Sequence, residues 1–374
     1  MKKNKETGLC DLNRGVIKGT SKGKIIWQPR IGCWYTDRTY YGDKLPEEYK
    51  GMTLPEVYRQ LGCSARIYEY GRCFVKKDHP RVQRSSRKLN DLDIEYSAKT
   101  PAGTITFITS KTESSWHYKT KKWWITCEED MKVAAWIEER CSWSWDEAAY
   151  RKISKKWGDL GMPTMFMPRV NIQHLYIDMM GVEEATYAMC DYPETVDRYF
   201  HILDESHHRL IDAINKSPFE NINFGDNLHA GTLSPSLFCK YVLPAYQKRN
   251  ELLHKANKFT HSHWDGDTKA LLPFARECGL DGIEAITPKP QGDVTLDEVK
   301  EALGKNMYLI DGVAAILFDV IYPIEELVKQ VKQVIQLFAP RLVLGISDEI
   351  SATGDIQRIK LVGKIVDEYN SQFE

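Results

Sequence analysis

A closed (β/α)8 barrel, an α/β TIM barrel with an N-terminal hairpin and helix extension, is the fold this sequence predicts. Three observations lead there. Short apolar runs alternate with helical patterns through the C-terminal two-thirds, as parallel βαβ units require. At least seven strand candidates keep this rhythm over about 250 residues, the usual length of such a barrel. Neither a GxGxxG nor a P-loop motif occurs, which weakens an open doubly wound sheet built for dinucleotides or nucleoside triphosphates.

Ile25-Ile-Trp27 supplies the first strand. Pro163 to Met167 reads as a strand, Ala185 to Ile214 as a helix, and Asn221 to Gly225 as a strand running into Asp226-Asn227-Leu-His229. Helix Leu237 to Ala256 precedes strand Lys258 to His263. Thr268 to Cys278, closed by Gly279, has helical spacing, and Gly282 to Ile286 is the next strand. Thr295-x-x-Glu298 forms a capping box before a short helix ending near Gly304. Met307 to Ile310 is a strand. Ile324 to Phe338 carries Val328, Val331, Val334 and Phe338 on one stripe, and Leu342 to Gly345 is the last strand.

The rhythm breaks between about Tyr40 and Trp157, within a chain otherwise read as one barrel domain over residues 1–374. Thr100 to Thr109 alternates like a hairpin strand, and Thr126-x-x-Glu129 opens a helix. Six of the ten tryptophans (116, 123, 124, 136, 143 and 145) fall here. Such density suits a lid, a docking face for another protein, or the packing of an added subdomain.

Composition narrows the classes. At 374 residues, 42% hydrophobic and 28% charged, the chain can bury a large core. Its net charge of -1 argues against nucleic acid. No stretch approaches the roughly 20 apolar residues of a membrane span, and Met1 to Asn13 is too polar for a secretory signal, so a cytoplasmic protein is expected. Nine scattered cysteines with no CxxC pair fit reduced thiols. Residues 1–150 hold 27 basic and 20 acidic side chains against 24 and 32 in the remainder, a split that could orient a charged partner.

Barrel active sites form at the C-terminal ends of the strands, and those positions here are rich in ligands. On one strand His261, His263 and Asp265 point the same way, about 6.5 to 7 Å apart per pair, so one ion cannot easily use all three. His263 and Asp265, nearest the mouth, are the first-choice metal ligands. His261 lies deeper, as a supporting or core residue. Glu284, Glu349 and the second-choice Asp348 come from other strands, although each could instead cap a helix. His with two carboxylates and an open position is a catalytic zinc set that would also tolerate manganese or iron.

The order His263-Trp-Asp265-Gly, Gly279-Leu-Asp-Gly-Ile-Glu284, Asp311-Gly-Val-Ala-Ala315 and Leu344-Gly-Ile-Ser-Asp-Glu349-Ile resembles the uroporphyrinogen decarboxylase superfamily, specifically its corrinoid-dependent methyltransferase branch. The resemblance covers most of the chain. It implies a (β/α)8 barrel, a bound zinc, and methyl transfer to or from the cobalt of a separate corrinoid protein. Zinc-dependent thiol-methylating members carry His-x-Cys-Gly and a second Cys. Here Asp265 replaces the first Cys and Asp348 or Glu349 stands near the other. Oxygen and imidazole ligands leave a harder Lewis acid, suited to an oxygen substrate. The chain is thus more similar to members that demethylate methyl ethers such as methoxylated aromatics.

The strand-end positions, taken with this chemistry, place zinc on His263, Asp265 and one or both of Glu284 and Glu349, with Asp226, Asn227 and His229 lining the same mouth to orient the substrate and His229 able to protonate the product. Trp34 and Tyr35, followed by Tyr40 and Tyr41, and Trp264 are expected to stack on a substrate ring. Because the chain lacks an Asp-x-His-x-x-Gly signature, cobalt must arrive on a partner. The alternatives are a uroporphyrinogen decarboxylase-like decarboxylase, a methylcobamide:thiol methyltransferase and a non-catalytic tetrapyrrole carrier. The decarboxylase carries Met-Arg-Gln-Ala-Gly-Arg for its polyanionic substrate; the corresponding place here, Trp27-Gln-Pro-Arg30-Ile-Gly-Cys-Trp34-Tyr35, keeps one arginine.

Overall fold

The computed structural model describes residues 8–40, 42–113 and 116–373; Tyr41, one of the rings expected near the mouth, lies outside them. After β1 (Ile26–Trp27) comes an insert with β2 (Phe74–Lys77), β3 (Gln83–Lys88), β4 (Asp93–Thr100), β5 (Gly103–Lys111), β6 (Tyr118–Lys122) and β7 (Ser142–Trp145). Then follow β8 (Thr164–Met167), β9 (Asn221–Leu228), β10 (Phe259–Trp264), β11 (Gly282–Glu284), β12 (Tyr308–Ala314) and β13 (Leu342–Ser347). Among the described residues, β1 and β8 to β13 make one parallel sheet, ordered β1-β13-β12-β11-β10-β9-β8. Helices cover its outer face, as right-handed crossovers demand.

The eighth place in the wall, between β1 and β8, belongs to residues 63–67. Ser64 N donates to Trp27 O at 2.9 Å, and Ala65 N donates to Leu160 O at 2.7 Å. Gln28 Nε2 reaches Ser64 Oγ at 3.2 Å. This stave lies inside the span read as an extension, and its Ser64 and Arg66 obscure any apolar run. The true insert therefore begins after it.

Most helices form where the apolar periodicity places them. Pro193–Asn215 starts with proline in its first turn and buries Val196, Tyr199, Leu203, Leu210 and Ile214. In Ile324–Phe338 the buried stripe includes Leu327 rather than Val328. The helix expected over 268–278 is reduced to a single 3-10 turn at Leu272–Phe274, because Pro273 removes a donor from its middle. Thr126 caps through Asp130 Oδ2, which accepts from its N–H at 3.0 Å and its hydroxyl at 2.7 Å. The helix it introduces, Glu128–Arg140, therefore has its box shifted one residue beyond Glu129.

In the insert, β3 to β6 form an antiparallel sheet and β2 pairs with β7. The hairpin turns at Pro101 and Ala102, so Thr100 closes β4 and the alternating run is β5. All six clustered tryptophans are half-buried. Trp145 packs on Phe74 and Trp124 stacks on Phe107, ring centres 5.1 and 5.4 Å apart. Trp116 Nε1 donates to Asp37 Oδ1 at 2.7 Å, tying the sheet to the helix Gly32–Tyr40 that follows β1 at the barrel mouth. Packing of the insert thus occupies much of this aromatic surface, while one edge reaches the rim. None of the nine cysteines is in a disulfide, and among the described residues no helix is long and apolar enough to cross a membrane.

Candidate functional site

Four of the six non-glycine residues with positive φ among the described residues lie in the barrel strands or just after them. Asn227, Ala285, Asp311 and Asp348 have φ of 51°, 66°, 77° and 74°. The left-handed region costs a non-glycine residue roughly a kcal/mol or more and persists where surrounding contacts fix it, commonly at functional sites. These four lie in β9 and β12 and just after β11 and β13.

Inside the barrel, alternation along the strands turns Asn223, His261, His263 and Glu284 toward one another. Glu284 is buried and is the hub. Its Oε1 accepts from His263 Nδ1 at 2.8 Å and lies 3.3 Å from Arg66 Nη1. Its Oε2 accepts from Asn223 Nδ2 at 2.6 Å and lies 3.1 Å from His261 Nε2. Burial opposes its charge, yet Arg66, His261 and His263 hold the carboxyl well below the usual range.

Arg66 forms a fork on Asp311, with Nη2 to Oδ1 at 2.7 Å and Nη1 to Oδ2 at 3.1 Å. This planar pairing is the strong form of an arginine–carboxylate contact. Gly345 makes room for it: a Cβ there would sit 2.2 Å from Asp311 Oδ1.

Above this layer His263 Nε2 faces Asp265 Oδ2 at 3.7 Å, beyond hydrogen-bond reach. Burial disfavours the imidazolium, but Asp265 and Glu284 raise its pKa to about 9. Arg30, also buried, lies 3.4 Å from Asp348 and 3.5 Å from Glu349. Its Nε and Nη1 make no hydrogen bond among the described residues. Glu349 Oε2 accepts instead from Cys33 N at 3.3 Å. An aromatic wall completes the mouth: Tyr68 packs on Phe166 with ring centres 4.9 Å apart, and the Arg30 guanidinium carbon is 6.0 Å from the Tyr68 ring centre.

The structure thus brings together His263, Asp265 and Glu284, with His261 directly beneath on Glu284. Asp348 and Glu349 sit on Arg30. Among the described residues no three His, Cys, Asp or Glu side chains gather closely enough to hold an ion. Of the zinc set that the resemblance implies, the structure aligns two donors, fewer than the three protein ligands of a usual catalytic zinc. His263, oriented through Nδ1 by a carboxylate and open at Nε2, has the support of a metal-binding imidazole, and Asp265 faces the same nitrogen. Glu284 is that supporting carboxylate: its two oxygens are engaged by four neighbours.

The residues expected to orient the substrate are placed differently from one another. Asp226 is fully buried on the outer face of β9, where Oδ1 accepts from Val170 N at 2.5 Å and Oδ2 accepts from the Tyr246 hydroxyl. It fixes the barrel to a helix and cannot touch a substrate. Asn227 uses its carbonyl to accept from Gln173 at 2.9 Å. His229 is half-buried at the rim, 3.3 Å from Thr232 Oγ1 and near enough to Asp265 to stabilise its carboxylate.

The expected aromatic platform is also corrected. Trp34 and Trp264 have no exposed surface. Trp34 points into the core and donates to Gly354 O at 3.2 Å. Trp264 alternates with His263 and so faces the outer helices, edge-on to Phe238. Tyr35 donates to Met52 O at 2.8 Å. Tyr68 and Phe166 take the place of these rings. Arg66, Asn223 and Tyr68 carry no signal that sequence reasoning used, and Asp311 was visible only as the first residue of the Asp311-Gly-Val-Ala-Ala315 motif.

With this geometry in view, the chain can be compared with known proteins. A methyltransferase from Methanosarcina mazei is similar in structure, with a TM-score of 0.59, 14% sequence identity, and coverage of 97% of this chain and 99% of that one. At this identity the likeness shows a shared fold. A ribulose-1,5-bisphosphate carboxylase/oxygenase from Pyrococcus horikoshii OT3 reaches a TM-score of 0.29, at 13% identity over 66% of this chain and 49% of that one, which supports no inference. No curated protein sequence matches. The family model described as uroporphyrinogen decarboxylase matches residues 174–369, more than half of the chain and the part that carries His263, Asp265, Glu284, Asp311 and Glu349. The chain therefore belongs to the uroporphyrinogen decarboxylase family.

Proposed function

We propose that this protein is a methyltransferase that moves a methyl group from a small methylated donor, a methoxylated aromatic, to cobalt(I) of a separate corrinoid protein. The observation that carries the reading is the pairing of His263, open at Nε2, and Asp265 with the Tyr68–Phe166 wall in one mouth. The name of the Methanosarcina mazei neighbour, a methyltransferase covered almost end to end, supports it. A polycarboxylate substrate suits the mouth less well. Arg66 is matched by Asp311 and Glu284, and Arg30 faces Asp348 and Glu349, leaving no surplus of positive charge.

His263 and Asp265 would hold a zinc ion. Bound there, zinc supplies a Lewis acid for the ether oxygen and for the negative charge that develops on it. The chain's own residues do the rest. Glu284 fixes the imidazole through Nδ1, Arg66 and Asn223 fix Glu284, and Tyr68 and Phe166 offer apolar faces to an aryl ring. His229 stands at the rim, within reach of a departing product. The corrinoid protein docks over the mouth, guided partly by the basic N-terminal segment whose sheet reaches the rim through Trp116 and Asp37.

Spectroscopic measurement of cobalt(I) consumption with a panel of methoxyarenes, methylamines and methylthiols tests the reading. Consumption is expected with methoxyarenes. Consumption only with amines or thiols would overturn the choice of donor, and none with any donor would overturn methyl transfer.

A further inference from the structure

Two aligned donors leave the zinc site one protein ligand short, and the other acids and imidazoles expected there are committed elsewhere. Glu284 and His261 lie 3.1 Å apart beneath His263, and Asp348 and Glu349 sit against Arg30. Asp226 faces outward to Tyr246. His229 is not held in this way. The register of β9 on β10 pairs Leu228 with Trp264, both fully buried, and Trp264 faces the outer helices. One step further along, His229 and Asp265 therefore stand side by side on the opposite face, the face of His263, and neighbouring strands lie only about 4.8 Å apart. Backbone bonds fasten the two strand ends together: Asp265 N donates to Leu228 O at 3.2 Å, and Ala230 N donates to Asp267 O at 2.7 Å. Gly266, with φ of 63°, makes the turn between them, and a Cβ on it would lie 3.7 Å from the His229 Cβ. The His229 ring itself bends back over its own turn, with Nε2 3.3 Å from Thr232 Oγ1. Nδ1 lies 3.0 Å from the place a Cβ on Gly231 would take, so the glycine leaves the ring its room. One long hydrogen bond of this kind shifts an equilibrium by roughly fivefold, far less than a metal–imidazole bond contributes.

We propose that His229 is the third protein ligand of the zinc, its ring turning about the Cα–Cβ bond from Thr232 to join His263 and Asp265. The inference rests on the zinc-dependent methyl-transfer reading above. It completes a set of two imidazoles and one carboxylate, which is a known catalytic zinc set and keeps a further position open for substrate. With the ring folded back on Thr232, no three such side chains gather among the described residues; the turn of this one ring supplies the third. The fastened ends of β9 and β10 hold His229 beside Asp265 whether or not the ring has turned. An imidazole nitrogen bound to the ion has no proton to give, so a departing phenolate takes its proton from solvent.

Zinc affinity is measured by competition with a chelator of known affinity for the wild type, His229→Ala and His229→Cys, and each protein is also loaded with cobalt(II) as a spectroscopic probe. His229→Ala is expected to lower zinc affinity by about 100-fold or more, a larger loss than a group that only supports a ligand causes. His229→Cys places a thiolate at the same point. It is expected to recover most of the affinity and to give the cobalt(II) form a near-ultraviolet thiolate-to-metal absorption band that the wild type, which keeps all nine native cysteines, does not show. A loss of less than about tenfold in His229→Ala, or a cobalt(II)-loaded His229→Cys without that band, overturns the assignment. The outcome for methyl transfer is read separately, from cobalt(I) consumption. A wild type that binds zinc through His229 yet consumes no cobalt(I) keeps the ligand and overturns methyl transfer. A wild type that consumes cobalt(I) without binding zinc keeps methyl transfer and overturns the ligand.

Discussion

His263 donates from Nδ1 to Glu284 Oε1 at 2.8 Å, and this one contact assigns the two residues different tasks. The imidazole is left with Nε2 open toward Asp265 and the mouth. Glu284, which the strand-end position made a candidate ligand, becomes the group that orients the imidazole.

Removing that orienting charge should weaken metal binding without abolishing it. Glu284→Gln is expected to lower zinc affinity by about 10- to 100-fold. His263→Ala should reduce it further. Competition titration against a chelator of known affinity measures both. Equal affinities for wild type and Glu284→Gln would contradict the assigned role.

The metal-free protein should lose stability on the alkaline side. The folded-state pKa of His263, about 9, lies above its ordinary 6.5. The contribution is fully present below about pH 6.5 and disappears as pH rises through about 9, amounting to about 3 kcal/mol. Urea unfolding between pH 6 and 9.5 should show this decline, and His263→Gln should flatten it. An unchanged slope in the variant would remove His263 as its origin.

The fork between Arg66 and Asp311 is fully enclosed, so its partners are not equivalent to surface charges. Arg66→Met leaves Asp311 buried without its partner and removes one of the four neighbours of Glu284, and should cost about 3 to 5 kcal/mol. Replacing both residues, as Arg66→Met with Asp311→Leu, should cost less than that single change. Chemical denaturation checks the order, and an Arg66→Met protein within about 1 kcal/mol of wild type would show that the pair does not form.

The centre of the site was legible in the sequence because two rules applied to it directly. Strand periodicity put His261, His263 and Asp265 on one face, and the barrel rule put them at the functional end. The same periodicity excludes Trp264, which must face the opposite way. Arg66 and Tyr68 were hidden because the stave 63–67 is short, polar and embedded in a long insert. Trp34 carried no signal: nothing in a first helical turn tells which side meets the core. Asp226 was read as a mouth residue from its place at a strand end, but alternation turns it outward to Tyr246.

Docking guided by charge should depend on salt. The second-order rate of reaction with the corrinoid protein is expected to fall as ionic strength rises, whereas a free corrinoid should react slowly at every salt concentration. Stopped-flow measurement at two ionic strengths compares the two acceptors. Free corrinoid reacting as fast as the carrier protein would contradict a docking surface.

Methyl transfer itself is tested most directly by following the methyl group. A methoxyarene carrying a deuterated methyl is mixed with the protein and a cobalt(I) corrinoid protein under anaerobic conditions, and the corrinoid and the aromatic product are analysed by mass spectrometry. The expected result is one labelled methyl on cobalt for each phenol formed, with none after His263→Ala. Carbon dioxide release from an acidic substrate, or phenol formation with no label on cobalt, would contradict it.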